Sequence, residues 1–222
     1  KWTDYIPVFI ANGFYKNKTE FNNRHVVFAR FSKYPKIERY LEERHLNKLR
    51  EQILVTMKDE RTTTRHYIPV ICDFNKEDFR KVYAGRWDIY ENKPIEETGK
   101  LFYLLRKVVN SDPSRLAECI KIINEKKKVI IFYNFDYEVF LLRDMCEGME
   151  IKYAEWNGHL HEEIPKTDKW VYLVQYVAGS EGWNCTSTDT IIFYSQSYSY
   201  RQTEQAAGRI DRMNTQFIDL YY

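Results

Sequence analysis

Residues 129–136 read Val129-Ile130-Ile131-Phe132-Tyr133-Asn134-Phe135-Asp136: a continuous apolar run, then an abrupt change to polar and capping types. A strand with one face in water alternates apolar and polar residues, so an unbroken run is what a strand covered on both faces needs. Asp136 can cap a helix running to about Cys146 and closed by Gly148. Further along, Ile151–Trp156, Trp170–Val177 and Thr190–Tyr194 are strand candidates, Tyr200–Arg212 a helix, and Gln216–Tyr222 a last strand. Strands and helices alternating at this spacing predict an α/β fold: a mainly parallel sheet joined by right-handed crossovers and flanked by helices. Ligands of such sheets collect at the carboxyl ends of the strands.

Toward the N-terminus, Asp112-Pro113 supplies a cap followed by proline at the first helical position. Leu116, Ile120 and Ile123 then form the core stripe of a helix that ends in Lys126-Lys127-Lys128, where cations suit the C-terminal dipole. Asn75 can cap a helix over Lys76–Ala84 stopped by Gly85, with a strand expected at Tyr67–Phe74 before it and irregular chain over 86–100 after it. The domain organisation expected is a helical, basic extension over 1–128 and an α/β lobe over 129–222.

Of 222 residues, 44% are hydrophobic and 30% charged, which excludes a disordered or low-complexity chain. No apolar run approaches the roughly 20 residues of a bilayer span, and Lys1-Trp2-Thr3-Asp4 is no secretory leader. A cytoplasmic location (bacterial, or of an infected cell), without membrane association, is the expectation. Cys72, Cys119, Cys146 and Cys185 are widely spaced and lack metal-ligand spacing, so buried thiols in a reducing compartment are expected and no metal site. The net charge of +2 hides a basic stretch: Lys16–Arg65 holds 13 Lys/Arg against 7 Asp/Glu, interleaved with Phe21, Phe28, Phe31, Tyr34 and Tyr40. Cations neutralise phosphates and rings stack on bases, which makes Lys33, Lys36 and Arg39 candidate nucleic-acid contacts; a solvated helical face over an aromatic core has the same composition.

Two segments carry chemistry. After the strand at Trp170–Val177 comes Ala178-Gly179-Ser180-Glu181-Gly182-Trp183-Asn184, where two glycines let a ligand approach the backbone and its N–H groups. Further on stands Gln205-Ala206-Ala207-Gly208-Arg209-Ile210-Asp211-Arg212. On a continuous helix Gln205, Arg209 and Arg212 fall within about 60° of one another, with Ala206, Ala207, Ile210 and Met213 on the opposite, sheet-facing side. Guanidinium forks suit phosphate oxygens.

In this order and spacing the segments resemble motifs of superfamily-two helicases and translocases. Q-A-A-G-R-I-D-R is similar to motif VI, G-S-E-G-W-N at Gly179–Asn184 to motif V, and V-I-I-F-Y-N-F-D to motif IV on the first strand of a second RecA-like lobe. The text upstream, F-N-K-E-D-F-R-K-V-Y and then L-L-R-K-V-V-N-S-D-P-S-R-L, resembles the Swi/Snf branch, its phage-encoded members above all. The likeness is firm over about 129–222 and looser before it. Neither a G-x-x-x-x-G-K-[ST] phosphate loop nor a D-E-x-H box occurs in the chain. The resemblance therefore implies the second lobe of a longer ATPase, with ATP and magnesium held mainly by a first RecA-like lobe of the same polypeptide, and DNA, duplex by expectation, as the other partner. It implies that Arg209 and Arg212 reach the nucleotide, Arg212 at the γ-phosphate, with Gln205 aligning them. Gly179, Ser180, Glu181, Gly182 and Asn184 would couple the ATP cleft to the nucleic-acid track, though many relatives carry Asp where Asn184 stands. Asn134 and Phe135 would contact backbone phosphate or support that loop. Two other readings of the residues stay open: a non-catalytic nucleic-acid-binding module, and an α/β domain holding a small anion or nucleotide.

Overall fold

A computed structural model of the chain describes residues 1–31, 34–55, 62–179 and 183–222. It forms two compact units, Lys1–Glu60 and Arg61–Tyr222. The division falls well before the 128/129 boundary expected from sequence: residues 62–128 belong to the unit that contains the sheet.

The first unit opens with a 3-10 turn, Trp2–Tyr5, followed by α1 (Ile6–Ala11), α2 (Lys18–His25), an antiparallel hairpin of β1 (Val26–Phe28) and β2 (Ile37–Tyr40), and α3 (Glu43–Ile53). Its core is aromatic: Phe9, Phe21 and Leu46 are fully buried, with Tyr15 edge-on to Phe21 at 5.2 Å.

The second unit begins with β3 (Thr64–His66) rather than with a strand over Tyr67–Phe74, which lies outside any element. The apolar side chains that suggested a strand there, Tyr67, Ile68, Val70 and Ile71, are exposed. Next come α4 (Lys76–Tyr83), the two-residue strands β4 (Trp87–Asp88) and β5 (Lys93–Pro94), α5 (Thr98–Asn110) and α6 (Pro113–Lys126). Asn75 caps α4 by accepting from the Glu77 and Asp78 amides, and Asp112 caps α6 through Ser114 N, as their sequences predict. The sequence reading passes over α5, yet Leu101, Leu104, Leu105 and Val108 line its buried face at helical spacing.

The sheet follows: β6 (Lys128–Tyr133), α7 (Asp136–Gly148), β7 (Lys152–Trp156), β8 (Trp170–Gln175), a short α8 (Tyr176–Gly179), β9 (Ile191–Phe193), α9 (Tyr200–Ala207) and β10 (Asp219–Tyr221). Four strands run parallel in the order β7-β8-β6-β9, with Ile131 opposite Leu173 and Ile192. Val129, Ile131 and Tyr133 join α6 and α7 in one core; Ile130 and Phe132 join Trp183, Ala206 and Ile210 in the other. This double burial is the reason the strand reads as a continuous apolar run. β10 pairs in parallel with β3, and Tyr221 N donates to Asp189 O at 2.8 Å just before β9.

Three expected boundaries move. Phe135, not Asp136, is the N-cap of α7, because the Glu138 carboxylate accepts from the Asn134 and Phe135 amides and starts the helix there. The last strand is shorter than Gln216–Tyr222. α9 stops at Ala207, so the single helix predicted through Arg212 does not exist: Ala206, Ala207 and Ile210 are buried as expected, but Met213 is 107% exposed instead of facing the sheet. Among the described residues, no helix is long and apolar enough to cross a membrane.

Candidate nucleotide and nucleic-acid site

Ser199 starts α9 by accepting from Gln202 N, and Gly208 ends it. A Cβ on Gly208 would meet only the helix's own carbonyls, 3.3 Å from Glu204 O, so the glycine tightens the last turn rather than making room for a neighbour. The two arginines then diverge, because Arg209 and Arg212 lie beyond the helix. Arg209 is 7% exposed; its Nη1 donates to Trp183 O at 2.9 Å and its guanidinium lies 5.8 Å from the Trp183 ring centre. Its own carbonyl accepts from Cys185 N at 3.0 Å. Arg209 thus clamps the chain that emerges from the glycine-containing segment onto the sheet.

Arg212 is half-buried, and its Nε is shielded from water without a hydrogen-bond partner. A buried guanidinium nitrogen left unsatisfied costs free energy until an acceptor arrives. Neighbouring Asp211 accepts from Thr63 Oγ1 and from Arg65 Nε, each at 2.7 Å. Gln205 is half-buried on α9.

Gly179 is the last residue of α8, and Ser180, Glu181 and Gly182 lie outside the described residues, as does Lys33. Asn184 is exposed and lines a cleft of about 400 Å³ with Lys128, Lys166, Thr167, Thr186 and Ser187. Lys128 and Trp170, at this cleft, are the first residues of β6 and β8, so Asn184 stands at the amino ends of the strands.

Asn134 and Phe135 sit at the opposite, carboxyl end of β6. Asn134 Nδ2 donates to Ser195 Oγ at 2.8 Å, and the Phe135 ring stacks on Tyr137 with Arg106 4.9 Å from its centre. Lys36 and Arg39 are exposed in the first unit, Arg39 on β2. The site residues therefore fall into three groups: Arg209 with Trp183 and Cys185, Asn134 with Phe135 and Ser195, and the hairpin cations of the first unit. Among the described residues, no three His, Cys, Asp or Glu side chains are grouped to hold a metal ion.

Several contributors escape the sequence. Trp183, within the segment resembling motif V, was legible as a neighbour but not as Arg209's partner. Glu138 sits at the third position of α7, where a carboxylate commonly reaches back to the capping amide, and that spacing was the available signal. Arg65 had none, its partner being 146 positions away.

Residues 113–214 match the helicase conserved C-terminal domain. The chain is 25% identical over 130 residues to the chromatin remodeling factor mit1 of Schizosaccharomyces pombe, covering 54% of this chain and 8% of that protein. It is 24% identical over 147 residues to the chromatin-remodeling ATPase INO80 of Aspergillus clavatus, covering 58% and 9%. The chain thus spans less than a tenth of the curated relatives it matches. Among solved structures, the Sulfolobus solfataricus SWI2/SNF2 ATPase core in complex with double-stranded DNA has the same fold, with a TM-score of 0.52 at 16% identity over 91% of this chain and 50% of that one. Parallel sheet and flanking helices are those of a RecA-like α/β fold. Over residues 113–214 the chain is similar to the helicase conserved C-terminal domain, and the relatives it resembles are chromatin-remodeling proteins.

Proposed function

We propose that this chain is the second motor lobe of an ATP-dependent DNA translocase or helicase, and that Arg212 is the residue it offers to the nucleotide. The observation that carries this reading is the buried Arg212 Nε that has no hydrogen-bond partner. It fits a phosphate oxygen, for which the guanidinium fork is built. Bound ATP with magnesium would supply the transferring phosphoryl group, held mainly by a first RecA-like lobe. Arg212 would place positive charge where negative charge develops, and Arg209 would fix the segment around it. Gln205 lies one turn before Arg209 in sequence and would align the pair. Gly179–Asn184 would link closure at this point to the nucleic acid, with Asn134 and Phe135 touching its backbone.

The test is Arg212→Ala in the polypeptide that carries both lobes. Loss of a finger arginine lowers turnover by about 10³–10⁵, so DNA-stimulated ATP hydrolysis should nearly vanish while the protein stays folded. Turnover near that of the parent protein rejects the role. The lobe alone, without a phosphate loop, should hydrolyse no ATP.

A further inference from the structure

Glu138 is fully buried, and among the described residues no cation pairs with it. A carboxylate withdrawn from water is costly unless hydrogen bonds replace its hydration. Here they do. Oε2 accepts from Asn134 N at 2.8 Å, Phe135 N at 3.3 Å and Ser195 Oγ at 2.8 Å. Oε1 accepts from Asn110 Nδ2 at 2.8 Å and Tyr137 OH at 3.3 Å. Packing alone would be served as well by leucine, at no desolvation cost. What leucine cannot do is accept five hydrogen bonds, four of them from three places outside its own helix: the loop after β6, the loop after β9, and the C-terminal end of α5.

Those loops leave the carboxyl ends of neighbouring parallel strands. Their junction is closed by a ring of bonds, since Ser195 Oγ donates to Glu138 and accepts from Asn134 Nδ2. Outward from the ring, Arg106 Nη2 donates to Gln196 O at 2.9 Å. The Arg106 guanidinium lies 4.9 Å from the Phe135 ring centre and 4.8 Å from that of Tyr198, which is 91% exposed. The result is an aromatic–guanidinium–aromatic stack whose members come from both loops and from α5. Its spacing depends on the two loops keeping one fixed offset.

We propose that Glu138 is a positioning residue: it locks the loop after β6 to the loop after β9, so that Phe135, Arg106 and Tyr198 form one rigid ledge for nucleic acid. This rests on the motor-lobe reading for its ligand. Rings and a guanidinium held in line suit bases and phosphates, and a ledge fixed before binding loses less entropy on contact than two independent loops would.

The test uses the 222-residue chain with Glu138→Leu, Glu138→Gln and Ser195→Ala, a short fluorescein-labelled DNA duplex, and peptide hydrogen exchange. Glu138→Leu should bind the duplex about 10-fold more weakly, the scale of one lost stacking contact, with faster exchange in both loops and unchanged exchange in β6 and β8. Glu138→Gln retains an acceptor for the Asn134 and Phe135 amides and should restore most of the affinity. Ser195→Ala opens the ring without emptying the core and should weaken binding in the same direction, which keeps the test decisive if the leucine variant does not fold. Unchanged affinity in Glu138→Leu or Ser195→Ala overturns the proposal. So does loosening throughout the lobe that Glu138→Gln fails to relieve, the mark of a packing role. A parent chain that does not bind the duplex removes the ledge, whereas full turnover in Arg212→Ala removes the motor reading; the two failures are separately visible.

Discussion

Arg65 and Asp211, 146 positions apart in sequence, meet through a 2.7 Å bond from Nε to Oδ2, with the Asp211 side chain only 5% exposed. Thr63 holds the other oxygen of Asp211, and Arg65 Nη1 reaches Glu204 Oε2 at 3.1 Å. One guanidinium thus ties β3 to α9 and to the turn that carries Arg209 and Arg212. Removing one partner of such a pair leaves a buried charge with its ion pair broken.

Arg65→Ala should therefore lower the stability of the Arg61–Tyr222 unit by about 3 kcal/mol, the lower end for a broken buried pair. Arg65→Lys should recover only part of that, because one ammonium cannot imitate the two-sided fork. Urea unfolding of the three proteins reads the difference directly. An alanine variant that unfolds at the parent's midpoint would show that the bond stabilises nothing.

Arg209 and Arg212 should separate into a structural and a chemical arginine. Arg209→Lys loses the bond to Trp183 O and weakens the ring contact, a cost of about 1–2 kcal/mol and hence about 2–8 °C in midpoint for a unit of this size. Arg212→Lys breaks no hydrogen bond at Nε and should melt within about 0.5 kcal/mol of the parent. Thermal melts of the chain decide it. Equal losses at the two positions would contradict the division.

The sheet was legible because burial on both faces writes itself into the sequence as an apolar run, and caps such as Asn75 and Asp112 are local chemistry. The Arg209–Arg212 region was misread in its geometry for the opposite reason. Helical periodicity continues through Ile210, but Gly208 ends the helix and the chain then turns to bring Arg209 under Trp183. The strand expected at Tyr67–Phe74 failed because β3 is selected by its partner β10, more than 150 residues away, and not by its own apolar content. Glu138 and Arg65 act through partners that only the folded chain assembles. Local signals reach as far as the caps; the hydrogen bonds around Glu138 and the Arg65–Asp211 pair are tertiary.

The cysteines should differ sharply in reactivity. Burial pushes the thiols of Cys119 and Cys146 up to about 12, so almost no thiolate exists at neutral pH. Cys72 is half-buried beside the exposed 67–71 segment. Iodoacetamide under native conditions should modify Cys72 first and leave Cys119 and Cys146 intact until denaturant is added, as peptide mass spectrometry would reveal. Modification of either buried thiol as fast as Cys72 would contradict their placement in the core that α6 and α7 form with β6.

The Lys1–Glu60 unit should weaken in mild acid through His25. Its ring is 0% exposed, with Tyr15 OH 2.7 Å from Nε2 and Leu41 O 3.3 Å from Nδ1. Nδ1–H donating to Leu41 leaves Nε2 to accept from Tyr15, which is the neutral ring. Burial lowers the pKa below its ordinary value of 6.5, and outweighs the opposing pull of the Leu41 carbonyl and the Glu42 carboxylate. Between the folded value and 6.5 the unfolded chain binds a proton that the folded chain refuses, so stability falls as the pH drops through that window. Protection factors from hydrogen exchange, which remove the intrinsic slowing of amide exchange at lower pH, should fall there in peptides from this unit of the parent chain. His25→Phe, which keeps a ring but cannot be protonated, should be less protected overall, having lost both bonds, yet with protection that depends less on pH across the window. The same slope in both proteins would assign the acid sensitivity to carboxylates instead.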